Sequence, residues 1–203
     1  MLNLGAIQIS KNEKDQFISN LFLVKKKNGK FRPVINLRKL NKFVEYFHFK
    51  METLQHVTEL LKRDAYFTSI DLENAYFSIP ISKNSRKYLK FIWNDVLYEF
   101  VCLPFGLSSA PRVFTKIMKP IFSYMRSQGI SCFFYIDDSL NQDIDQETCM
   151  NNATMLLQMM EELGFYINFE KSALLPSRRI LYFGFIIDSE QFKFFFFLPE
   201  EKL

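Results

Sequence analysis

Apolar and polar positions change period several times along this 203-residue chain. Residues 21–24 (LFLV) and 31–37 (FRPVINL) read as two strands. Between them lies Lys25-Lys26-Lys27-Asn28-Gly29-Lys30. Asn-Gly tolerates positive φ at both central positions of a tight turn, so a basic hairpin tip is expected there. From Met51 to Leu61 the apolar residues Leu54, Val57 and Leu61 share one helical face. Residues 65–71 (AYFTSID) read as a strand that ends in a carboxylate, and 89–93 with 96–101 as a hairpin around Asn94-Asp95.

A helix is expected from about Ser109 to Gly129. Pro111 lies in its first turn, and Val113, Phe114, Ile117, Ile121 and Met125 keep its period. Pro120 should kink it. Residues 130–136 (ISCFFYI) read as a strand, Asp137-Asp138 as a turn, and Ser139-Leu140 as the return. A second helix is expected over 145–163, with Cys149, Ala153, Leu156, Leu157 and Met160 inward and Gly164 as its C-terminal cap. Residues 180–187 (ILYFGFII) read as one strand with Gly184 marking a bulge or a close approach, and 192–198 as a further strand. This order does not alternate strand and helix, so the expected class is α+β with an antiparallel sheet packed on helices.

Composition narrows the picture. At 48% hydrophobic, with 24 Phe, the chain has enough apolar surface for one sizeable core or two small lobes, and general disorder is excluded. The net charge of +4 is unevenly spread. Residues 1–50 hold 11 Lys+Arg against 3 Asp+Glu, and the other 153 hold 15 against 19. A basic first quarter beside an acidic remainder suits a phosphate-facing lobe next to a metal-facing one, although a solvated lysine face gives the same count. Cys102, Cys132 and Cys149 are odd in number and form no CxxC pair, so neither a disulfide scaffold nor a zinc site is expected. No apolar run reaches the ~20 residues of a membrane span. The N-terminus lacks the pattern of a signal peptide, so an intracellular location, cytoplasmic or nuclear and not secreted, is expected.

The candidate chemistry sits on carboxylates. Tyr135-Ile136-Asp137-Asp138 puts two acids at the end of an apolar strand, and Asp71 ends a second such strand. Adjacent carboxylates near a core repel and are poorly solvated, and a divalent cation relieves both penalties. Mg²⁺ suits such a site, because it takes few carboxylates and shares its other positions with water and phosphates. If the two strands pair, three acids could hold two metals roughly 4 Å apart for phosphoryl transfer. Alone, an Asp-Asp pair more often marks a solvated turn.

Residues 67–81 (FTSIDLENAYFSIPI), 103–111 (LPFGLSSAP) and 134–138 (FYIDD) occur in an order and spacing that resemble reverse transcriptases. The match is colinear from about Val24 to about Asp188. Leu-Pro-Phe-Gly followed by Ser-Ser-Ala-Pro-Arg-Val-Phe-Thr is more similar to retrotransposon enzymes than to lentiviral ones, and nearest to DIRS-type, tyrosine-recombinase elements.

The resemblance implies a right-hand polymerase with fingers over residues 1–46 and 79–109, and palm over 47–78 and 110–190. It also implies the start of a palm–thumb connection at 191–203, with the thumb itself absent. It implies an RNA-directed DNA polymerase that adds deoxynucleotides to a primer 3′-OH on an RNA or DNA template. Asp71, Asp137 and Asp138 would hold two Mg²⁺ ions, with Mn²⁺ as an alternative. Arg32 and Lys26 would contact the triphosphate, Tyr76 would exclude a ribose 2′-OH, and Phe105 and Gly106 would lie under the nascent base pair. Lys171 would protonate the leaving pyrophosphate, and Tyr182, Phe183 and Gly184, in a hairpin over 181–185, would hold the primer end. Each has a plainer alternative: a solvated hairpin tip for the lysines, core packing for Tyr76, and a surface lysine at 171. Asn74 stands where many relatives have Asp and is given no metal role. Thumb, RNase H and the rest of a retroelement polyprotein are expected outside this chain. Two other readings stay open: a fragment that binds nucleic acid without turnover, and an RNA-directed RNA polymerase.

Overall fold

The structure, a computed structural model, describes residues 1–25, 29 and 31–196 of the chain; the side chains of Arg32 and Leu54 also lie outside that description. In chain order the elements are β1 (Ile7–Ile9), β2 (Ile18–Ser19), β3 (Leu21–Lys25), β4 (Phe31–Ile35), α1 (Leu54–Leu60) and β5 (Tyr66–Asp71). There follow α2 (Lys83–Arg86), β6 (Lys90–Trp93), β7 (Val96–Phe100), α3 (Ala110–Ser127), β8 (Ser131–Tyr135), β9 (Asp138–Asp143) and α4 (Gln146–Glu162). The last strands are β10 (Ala173–Ser177), β11 (Arg179–Tyr182), β12 (Phe185–Asp188) and β13 (Lys193–Phe196). The chain divides into two compact units, one of residues 1–49 and 76–114, the other of 50–75 and 115–203.

The first unit has a four-stranded sheet in the order β1-β7-β6-β2 and the separate β3–β4 hairpin. All its pairings are antiparallel except β2 with β6. Asn94 and Asp95 both take positive φ between β6 and β7, which is why that dipeptide marked the turn. Ile7, Ile35, Leu37, Phe91 and Phe100 are among its buried core residues. Lys90 is buried among them, with its Nζ 2.7 Å from Glu13 Oε1, 2.8 Å from the Lys11 carbonyl and 3.1 Å from Gln16 Oε1. These partners offset the cost of taking the ammonium out of water, and they tie the N-terminal segment to the sheet.

The second unit is built on an antiparallel sheet in the order β10-β5-β9-β8, with a β11-β12-β13 meander beside it in sequence. Val57, Phe67, Phe133, Leu140, Ile180 and Ile187 form one buried cluster. Helix α4 starts where Asp145 accepts a 2.7 Å hydrogen bond from the Thr148 amide, and it buries Cys149, Ala153, Leu156 and Met160. Leu157 is half-buried. The three cysteines are free, buried thiols. Among the described residues no helix is long and apolar enough to cross a membrane.

Three local expectations need correction. Helix α3 buries Phe114, Met118, Phe122 and Met125, while Ile117 is exposed, so its inward face is rotated from the expected one. The large Phe and Met side chains claim the core, and the β-branched residues flank it. Pro120 lies inside helix α3. Asp137-Asp138 is not the turn: the loop is Ile136-Asp137, and Asp138 opens β9 opposite Tyr135. Finally, 180–187 is not one bulged strand but, as the resemblance implied for 181–185, a hairpin of β11 and β12 closed by Phe183-Gly184. Both loop residues have positive φ, which reverses the chain rather than bulging it.

Candidate active site

The carboxylates meet because β5 and β9 are neighbours at the centre of the second unit's main sheet. Their register sets Asp71 directly opposite Asp138. Asp137 occupies the two-residue loop before β9, and its carbonyl accepts a 2.9 Å hydrogen bond from the Leu72 amide. Ile136, the first loop residue, has φ 53°. Only this first position is left-handed, the pattern of a type II′ turn, which usually takes glycine there. A β-branched residue in that conformation stores about 1–3 kcal/mol of strain, and such strain concentrates at functional sites.

Electrostatics show the crowding. The Asp138 carboxyl is pushed up from 3.8 to about 6, first by burial and then by the negative charges of Asp137 and Asp71; a hydrogen bond with Asp71 adds to the rise and the Lys171 ammonium opposes it. Lys171 Nζ lies 3.8 Å from Asp71 Oδ2, although the lysine is mostly exposed and the pair is accordingly weak. The arrangement calls for positive charge, and a divalent cation fits the donor set. Even so, among the described residues no three His, Cys, Asp or Glu side chains converge as a ready-made metal cage.

The Asp71 end of β5 is held by the segment after α4, which motif reasoning missed apart from Lys171. The Ser172 hydroxyl accepts from the Asp71 amide at 3.0 Å and donates to the Asn168 carbonyl at 2.8 Å. The Asn168 amide donates to the Asp71 carbonyl at 2.9 Å. Edge strand β8 is held from outside by Glu52, whose Oε2 accepts from the Phe134 amide at 3.0 Å. Glu52 Oε1 pairs with Arg126, which also donates to the Cys132 carbonyl. Neither Glu52 nor Ser172 carries a local pattern by which sequence alone could have found it.

Tyr182 is buried at the end of β11, and its ring lies 4.8 Å from that of Phe183. Its hydroxyl has no hydrogen-bond partner among the described residues. Burial pushes this phenol far up, and the nearby charges of Asp138 and Glu52 add to the rise. The Phe183 ring also packs 4.6 Å from Tyr135, the residue that closes the Ile136-Asp137 loop.

In the first unit Tyr76 is buried, with ring centroids 4.9 Å from Phe105 and 5.4 Å from Phe114. Gly106 has φ +92°, and its absent Cβ would lie 3.6 Å from the Ile35 carbonyl oxygen. Asn41 holds this loop at both ends: its amide donates to the Gly106 carbonyl at 2.9 Å, and its Oδ1 accepts from the Ser108 amide at 2.9 Å. Arg32 pairs through its backbone with Val24 in the β3–β4 hairpin. Lys26 and the Arg32 side chain lie outside the described residues.

The family model for reverse transcriptase (RNA-dependent DNA polymerase) matches residues 24–187, most of the chain. The chain belongs to the reverse transcriptase family. Among its relatives, the enzymatic polyprotein of Cauliflower mosaic virus (strain Strasbourg) is 26% identical over 186 residues, which are 90% of this chain and 27% of the relative. The retrovirus-related Pol polyprotein from the Drosophila melanogaster transposon opus is 27% identical over 180 residues, 86% of this chain and 18% of the relative. The reverse transcriptase sequence here therefore spans about a quarter or less of these curated relatives. Among solved structures, the foamy viral protease–reverse transcriptase in complex with dsDNA superposes with a TM-score of 0.83 at 25% identity, over 98% of this chain and 40% of that one. These reverse transcriptase relatives are viral and transposon polyproteins.

Proposed function

We propose that this chain is the catalytic core of an RNA-directed DNA polymerase, extending a primer 3′-OH with deoxynucleotides. The observation that carries this reading is the pairing of Asp71 with Asp138 in register, with Asp137 in the adjoining loop, in a chain of the reverse transcriptase family. The first unit is read as fingers and the second as palm.

Asp71, Asp137 and Asp138 would hold two divalent ions, Mg²⁺ or Mn²⁺. Such ions supply charge stabilisation for the attacking and leaving oxygens of an in-line displacement at phosphorus. In that reaction the primer 3′-oxygen bonds to the α-phosphorus while the bond to pyrophosphate breaks. The chain's own residues do the positioning. Ser172 and Asn168 fix the Asp71 backbone, and the Glu52–Arg126 pair fixes β8. Lys171, beside Asp71, is placed to give a proton to the leaving pyrophosphate. Arg32 and Lys26 would neutralise triphosphate charge, a guanidinium by paired hydrogen bonds and an ammonium as a mobile point charge. Tyr76, locked between Phe105 and Phe114, is rigid enough to reject a ribose 2′-OH by clash. Phe105 and Gly106 would support the nascent base pair, and Tyr182, Phe183 and Gly184 the primer end.

The natural partners in this reading are a primer on an RNA or DNA template, deoxynucleotides, and the remaining domains of a retroelement polyprotein. Double-stranded DNA and an RNA/DNA hybrid are bound in foamy viral relatives, which supports a nucleic-acid partner here. The Leu103–Pro111 motif favours a DIRS-type source element. Primer extension on an RNA template with Mg²⁺ tests the assignment. Wild type extends, and Asp71→Asn does not extend while its circular dichroism is unchanged. Near-normal extension by Asp71→Asn would remove the carboxylate role.

A further inference from the structure

Phe183 stands where its backbone does not want it. The Phe183-Gly184 loop closes on the Tyr182–Phe185 pair, with φ 56° at Phe183 and 72° at Gly184. Asn, Asp or Gly fills the first position of such a loop at little cost, whereas a bulky aromatic there persists only when its surroundings hold it. Two rings hold this one. Tyr135 meets it edge-to-face at 4.6 Å and 65°, and Tyr182 at 4.8 Å and 84°. Tyr135 is the last residue of β8 and pairs with Asp138 across the loop that carries Asp137. That loop is itself unfavourable, with Ile136 at φ 53°, so it also needs support from outside.

We infer that Phe183 is a positioning residue, whose ring braces Tyr135 and thereby fixes the loop that presents Asp137 and Asp138. This rests on reading those two aspartates as catalytic and adds a role to the primer-holding one already proposed for Phe183. Neither loop is held in its strained conformation by its own sequence. The Leu72 amide holds the Asp137 carbonyl, and the contact between a strand-end ring and a loop ring holds both loops, so the β11–β12 hairpin and the β8–β9 hairpin are mechanically joined.

The test uses Phe183→Asn, which suits a left-handed loop position and removes only the ring. Amide hydrogen exchange is read across the whole chain. The variant is expected to exchange roughly tenfold faster at residues 134–139, with residues 66–68 of β5, which pair with 141–143, unchanged, because local opening frees the hairpin end alone. Tyr135→Leu, which deletes the same contact from an ordinary strand position, should reproduce the effect, and the double variant should add nothing further. If one variant fails to fold, the other is read in the same way. Unchanged exchange at 134–139 in a folded variant overturns the proposal.

A kinetic arm separates bracing from primer contact. It uses Tyr135→Leu, which breaks the brace and keeps the Phe183 ring: bracing lowers kcat for primer extension by roughly tenfold and leaves primer–template Kd within about twofold. A weakened Kd with unchanged kcat overturns bracing in favour of direct primer contact. A wild-type chain that extends no primer would defeat the polymerase reading, and the exchange arm would still decide the bracing.

Discussion

Replacing Asp138 with asparagine should stabilise the metal-free protein, and the gain should depend on pH in a defined way. The carboxyl is pushed up from 3.8 to about 6, so the fold prefers its neutral form. Between those values the native state binds more protons than the unfolded state, and stability falls as pH rises through the window. Above about pH 6 the full penalty remains. A rise of this size corresponds to about 3 kcal/mol at full strength, and water reaching the half-exposed group reduces that to about 1–2 kcal/mol. For a chain of this length this is a gain of about 3–6 °C in Tm.

The substituted side chain does not titrate, and its amide can still donate to Asp71, so the gain should be absent near pH 4 and complete above pH 6. The assay is thermal unfolding of wild type and Asp138→Asn in EDTA, from pH 4 to 8. Adding Mg²⁺ should reverse the order, because a cation that binds only the native wild type stabilises it by mass action. Equal Tm differences at pH 4 and pH 7.5, or no gain at either, would refute the account of carboxylate crowding.

Two further outcomes follow from the first unit. Tyr76→Val should shift the ratio of kcat/KM for deoxy- over ribonucleotides roughly 10–100-fold towards ribonucleotides, while lost packing against Phe105 and Phe114 costs about 2–4 kcal/mol in denaturant unfolding. A fall in both activities with an unchanged ratio would leave Tyr76 a packing residue only. Lys90→Met should cost roughly 1–3 kcal/mol, because it unties Glu13, Gln16 and the Lys11 carbonyl while Glu99 keeps its bonds from Gln8 and Ser10, and urea unfolding that shows no loss would contradict a buried ionic clamp.

The sequence by itself determined the Asn94-Asp95 turn, the ends of α4 and the carboxylate that ends β5. Asn94-Asp95 reverses the chain because those side chains tolerate positive φ, and Asp145 and Gly164 delimit α4 through capping. Asp71 and Asp137-Asp138 were legible as carboxylates ending apolar strands, and the three motifs with their spacing pointed to the reverse transcriptase family. These features are local: each depends on a few adjacent residues and on backbone preferences that hold in any context.

Tertiary structure alone decided the rest. Strand β9 reads DSLNQD, with little apolar alternation, yet Ser139, Asn141 and Gln142 are buried. Ser139 donates to the Ile70 carbonyl, the Asn141 amide nitrogen to Thr68 and the Cys149 carbonyl, and the Gln142 amide nitrogen to Ser131 and the Leu60 carbonyl, all on other elements. No local pattern can announce partners that are distant in sequence. For the same reason Ser172 and Glu52 were invisible as supports of Asp71 and β8. The loop at Ile136 and the hairpin at Phe183 run against local preference altogether, and it takes packing from outside, here the contact between Tyr135 and Phe183, to hold a backbone where its own residues would not put it.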